Sequence, residues 1–149
     1  MGSPRRYQES GSQTITASQV SLIDVVSTAA IRPAVYDFSI GTTGTPADNS
    51  LTWEVRRFTA SGTRTGVTPT ALDSGDPAAT ALSGQNHTVE PTYTTELWTL
   101  GMNQRASYRW VAAPGSEFVC PATANNGIGV SALSAAYTGD AVCSLMHAE

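Results

Sequence analysis

The stretch Ala17–Ala30, ASQVSLIDVVSTAA, decides the fold class. Its apolar spacing would pass for an amphipathic helix with Ser18 as the N-cap. Its composition points the other way. Val20, Ile23, Val25, Val26 and Thr28 are β-branched. Such residues lose side-chain freedom against a helical turn and pack well on a pleated sheet. Read as a strand over 20–26, this segment removes the strongest helix candidate and leaves an all-β chain.

The flanking sequence agrees. Nearly every apolar run is short and bounded by Gly, Pro, Asn or Ser, the pattern of a β-sandwich or barrel. Further strands are expected over 12–17, 32–41, 51–60, 66–73, 96–103, 106–113, 117–122, 127–137 and 141–148. The expectation is therefore a β-sandwich or jelly-roll-like barrel of roughly eight to ten short strands. Gly139-Asp140 in YTGDAV reads as a tight turn pairing the last two strands. APGSE, 113–117, reads as a Pro-Gly turn. Residues 73–95 show no strand signal and read as one long ordered excursion. The N-terminal residues MGSPRRYQESGSQ are polar and lack apolar periodicity. They read as a flexible arm over 1–14, ahead of a single β domain over 15–149.

Composition limits the function classes. The chain has 149 residues and a formal net charge of -4, and only 13% of its residues are charged. All eight basic residues are arginine. A nucleic-acid binder would want a dense basic patch, so none is expected as a partner. Low charge with Arg in place of Lys resembles the composition of a protein contact surface. No run approaches a membrane span, and Arg5 and Arg6 are followed by no apolar run, so neither membrane nor secretory leader is expected. The sequon Asn86-His87-Thr88 is accordingly given no glycosylation role. Cys120 and Cys143 both lie in strand-like runs, either bonded or as two small buried side chains.

Catalytic patterns are missing. His87 and His147 have no second ligand at short offset, so no metal or other cofactor is expected. Asp73 and Asp76 in DSGDP read as a turn. Ser83 and His87 are close in sequence, which is poor evidence for a nucleophile and base, and no GxSxG elbow occurs. The chain is expected not to be an enzyme. Trp53, Trp98 and Trp110 fall mid-strand, as core or interface residues or as a sugar platform.

In LTWEVRRFTA, 51–60, both faces carry large groups. Leu51, Trp53 and Val55 would face a core, leaving Arg56 and Phe58 for another protein surface. His87 and Tyr93, in the long excursion, and Arg5, Arg6 and Tyr7, in the arm, complete the expected interface residues. Arg and Tyr are types enriched at binding hot spots.

Four stretches carry a resemblance: GTPADNSLTWEVRRFTASGT, VTPTALDSGDPAA, GQNHTVEPTYT and NQRASYRWVAAPGSEFVCPATANNGIGV. Together they resemble small structural proteins of tailed bacteriophages, the head decoration or cement proteins, over residues 31–149. The resemblance implies a non-enzymatic virion protein with a sandwich or jelly-roll body, assembled in the host cytoplasm. It would sit on the outer capsid surface, commonly as a homotrimer, and clamp neighbouring major capsid protein subunits. The alternative from the residues is a phage tail, receptor-binding or carbohydrate-binding module.

Overall fold

A computed structural model describes residues 4–15, 19–133 and 139–149. The described residues contain twelve strands and no helix. They are β1 (Arg6–Ile15), β2 (Val20–Val26), β3 (Ala34–Thr43), β4 (Ser50–Phe58), β5 (Thr63–Val67), β6 (Thr70–Ala71), β7 (Leu82–Val89), β8 (Tyr93–Asn103), β9 (Tyr108–Val111), β10 (Phe118–Val119), β11 (Gly127–Leu133) and β12 (Gly139–Ala148). Two six-stranded antiparallel sheets pack face to face. Sheet I runs β10-β3-β12-β1-β6, with β9 also on β3, and sheet II runs β5-β7-β2-β11-β4-β8. The all-β, two-sheet expectation is met; the extra strands include two of only two residues, β6 and β10.

β2 confirms the reading of the opening stretch. All seven of its residues are buried, and it pairs with β11 and β7 on its two edges. Ser18, the cap of the rejected helix, lies outside the described residues. Between the sheets lies one apolar core. Sheet II contributes Leu22, Leu51, Trp53, Val55, Ile128 and Val130, and sheet I contributes Ile15, Val35, Phe38, Ile40, Cys143 and Leu145. Cys120 and Cys143 are both buried free thiols, and burial pushes the Cys120 thiol up to about 12.

Three expectations need correction. The supposed arm is an interior strand: β1 pairs with β12 over its whole length, from Arg6↔Ala148 to Ile15↔Gly139, and with β6 on its other edge. Its inward positions include Tyr7, Glu9, Gly11 and Ile15, all buried. A carboxylate and a glycine stand where apolar residues would have revealed the alternation. Gly11 is required there, because a Cβ would lie 2.1 Å from the Leu22 carbonyl oxygen.

The second correction concerns Gly139-Asp140. They are the first residues of β12, paired with β1 and, at Asp140, with β3. β11 belongs to the other sheet, so the last two strands form no hairpin; residues 137–138 of that expected turn lie outside the described residues. The third is the excursion 73–95, which supplies β7 and the start of β8. By contrast, the Pro-Gly turn at 113–117 forms as read, with Ser116 N–H donating to Ala113 O at 2.9 Å and Gly115 at φ 81°.

The two lateral sides of the sandwich differ. On one, Gln13 of β1 acts like a short strand. Its amide donates to His87 O at 3.0 Å and accepts from His87 N–H at 3.0 Å, stitching sheet I to sheet II. On the other, β8 and the β9/β10 edge face each other without ladder pairing.

Candidate functional site

Of the seven expected interface residues, the structure gathers four on the outer face of sheet II. Arg56 and Phe58 stand on β4, His87 on β7, and Tyr93 opens β8. They belong to a covering that the chain lays over its own sheet. Phe58 is 2% exposed and meets the Tyr93 ring edge-on at 6.2 Å. The Arg56 guanidinium lies over the same ring, 5.6 Å from its centroid. Tyr93 reaches across β11, where a Cβ on Gly129 would come within 2.6 Å of its hydroxyl. That hydroxyl and the Glu90 carboxylate both bond the buried Ser21 side chain. Burial pushes the Tyr93 phenol strongly up. The second face of β4 therefore meets the same chain, which corrects the expectation that Phe58 contacts another protein.

His87 is the other part of this covering. Its Nε2 lies 3.0 Å from Asp24 Oδ2, which Arg64 Nε approaches to 2.7 Å. The Arg64 side chain reaches Asp24 over Gly84, where a Cβ would sit 2.2 Å from the Arg64 Cδ. Ser21, Asp24 and His87 are all buried. The Asp24 carboxylate and the His87 imidazole are thus paired inside the covering, while the Ser21 hydroxyl is engaged by Glu90 and Tyr93.

The N-terminal trio is split. Arg5 and Arg6 are exposed, with Arg6 over the Tyr36 ring at 5.5 Å. Tyr7 is fully buried and stacks on His147 at 5.4 Å. Its hydroxyl donates to Pro77 O at 3.0 Å. His147 Nδ1 lies 3.0 Å from Glu9 Oε1, and Glu149 on its far side accepts from Thr80 and Ala81 N–H. Burial raises the Glu9 carboxyl above its ordinary value, against the pull of His147. This cluster anchors the 72–81 segment to sheet I. Sequence reasoning missed Glu9, Asp24 and Glu90, since a carboxylate on a strand reads as solvent-facing unless its buried partner is known.

The remaining lateral side of the sandwich, the open side, lies between β8 and β9/β10. Five rings line it. Trp110 stacks between Phe118 at 4.4 Å and Phe38 at 5.2 Å. Trp98 meets Phe38 edge-on at 5.2 Å and stacks on Tyr108 at 5.8 Å. Arg57 bridges the two sheets here by donating to Val119 O. Trp98, Trp110 and Phe118 are only partly buried, Tyr108 is 41% exposed and Val111 is 56% exposed. Alongside runs β8, eleven residues long with one edge unpaired among the described residues. It carries no Lys and no Pro, and Glu96 is its sole charge, so few of the usual guards against strand pairing are present. Of the three tryptophans, Trp53 is wholly core, while Trp98 and Trp110 sit between core and surface.

In comparisons with known proteins, no family model, no curated protein and no solved structure matches this chain.

Proposed function

We propose that this chain is a non-enzymatic virion structural protein. It is read as a decoration or cement protein that binds the outer surface of an assembled phage head and stabilises contacts between major capsid protein subunits. The observation that carries the reading is the open side. A half-exposed aromatic row beside a long unpaired strand edge offers apolar area and backbone hydrogen bonds in one strip, the two components of strand-addition interfaces. The resemblance of residues 31–149 to decoration proteins supplies the kind of lattice. The exposed Arg5 and Arg6, at the start of β1, add cationic contacts for acidic capsid groups.

The mechanism is mass action. A protein that binds only the assembled shell stabilises it by its own binding free energy. A homotrimer multiplies modest contacts through effective concentration.

Sedimentation with undecorated, expanded heads of a tailed phage tests the reading. The purified chain should co-sediment to saturation and raise the temperature at which the heads rupture. Thr99→Lys with Val111→Lys, two exposed positions on the edge strands that border the open side, should abolish both effects. Heads that neither bind the chain nor gain stability, or a double variant that binds as well as wild type, would refute it.

A further inference from the structure

The outer face of sheet I bears a trough of about 610 Å3 that crosses β1, β12, β3 and β9 instead of following them. Strand register builds its floor. Ser10, Ser144, Ser39 and Arg109 are successive cross-strand partners in one row. Gln85 of β7 stands at one end and Arg109 at the other. None of these side chains joins the core cluster.

The chemistry of the row selects a ligand class. Each serine hydroxyl offers one donor and two acceptor positions. The Ser10–Ser144 contact at 3.3 Å and the Gln8 amide bond to Ser144 at 2.9 Å leave part of that capacity open. Arg109 is held side-on by Asp37, through Nε at 3.0 Å and a second bond from the terminal nitrogen. Its charge is therefore balanced within the chain, and an anion would have to compete with a carboxylate already in place. An apolar ligand would strip water from the hydroxyls and give nothing back. The two central strands beneath the row, β12 and β3, are paired on both edges, so an added peptide strand finds no free backbone in the middle of the trough. A polyhydroxylated, uncharged molecule matches on every count.

We infer that this trough is a binding site for a short neutral oligosaccharide, on the order of two or three pyranose units for a pocket of this size. It lies on a different face from β8, so a shell-bound copy would still present it.

The test is amide chemical-shift mapping on the labelled wild-type chain. Maltotriose, cellotriose and triacetylchitotriose are the neutral probes, each to about 10 mM, and sialyllactose is the charged control. At least one neutral probe should shift the amides of Ser10, Ser39, Ser144 and Arg109 as a group. Ser144→Trp, which fills the floor from the solvent side, should weaken that binding at least about tenfold with unchanged melting. Ser10→Leu, a smaller change, should weaken it in the same direction. The inference fails if no neutral probe shifts the trough, or if only sialyllactose does. It also fails if the shifts gather elsewhere, if both folded variants bind unchanged, or if the trough amides move with protein concentration alone, which would make the face a contact between copies.

Discussion

Gly129 shows how tightly the outer covering of sheet II is fitted. The Tyr93 hydroxyl would be 2.6 Å from a Cβ at this position, and Tyr93 is tied to Ser21 at 2.6 Å, so it cannot retreat freely. Gly129→Ala is predicted to cost about 1–3 kcal/mol, as overpacking of a filled site does. Urea unfolding measures this, and a loss below about 0.5 kcal/mol, the range of neutral surface changes, would contradict the fit. Glu9 gives a prediction of opposite sign. Its folded pKa is raised, chiefly by burial, with Asp24 and Glu149 adding to the rise and His147 opposing it. A raised carboxyl favours the folded state below its ordinary value of 4.5 and loses that contribution as pH rises through the folded value. Glu9→Gln does not titrate and can still bond His147. It should gain stability relative to wild type as pH rises from 4.5 toward neutrality, by about 1–2 kcal/mol. Thermal melts across that range check it; a relative gain by wild type would mean that the His147 pairing outweighs the cost of burial.

At the scale of elements, what could be read from sequence follows from who faces the core. β2, β4 and β11 carry branched or aromatic residues inward, and their positions were legible to within a few residues. β1 and β7 were not. β1 turns Glu9 and Gly11 inward, and β7 carries Ser83, Gly84 and the buried His87. Each buried polar group is satisfied by a residue distant in sequence, such as His147 for Glu9 and Asp24 for His87. A local pattern cannot contain that information. The same blindness placed Phe58, His87 and Tyr93 among interface residues: their types were right for contact, and the contact is internal. Residues 6–11 supply six of the ten residues of β1, between β12 and β6. Their deletion should abolish the cooperative thermal transition, because it strips the ladder from Arg6↔Ala148 to Gly11↔Cys143 and the Tyr7–His147 stack. A truncated chain that melts like the full one would show that β1 is dispensable.

Across the whole molecule, the chain closes on itself end to end. Arg5 and Glu149 exchange backbone hydrogen bonds at 3.2 and 2.9 Å, and most pairings join strands far apart in sequence, a topology that folds slowly. One lateral side is stitched by Gln13, and the outer face of sheet II is covered by Tyr93, Arg64 and their partners. The open side is sealed only by partly exposed rings and Arg57, beside an eleven-residue strand edge. The trough and the open side were not legible in sequence, since each is assembled from register across several strands. The central claim is that the open side is an assembly surface. Its most direct test is co-sedimentation of wild type and of Thr99→Lys with Val111→Lys with undecorated, expanded phage heads. Saturable binding of wild type and none of the variant is the expected result. Wild type that stays in the supernatant, or a variant that binds the heads as wild type does, would contradict it.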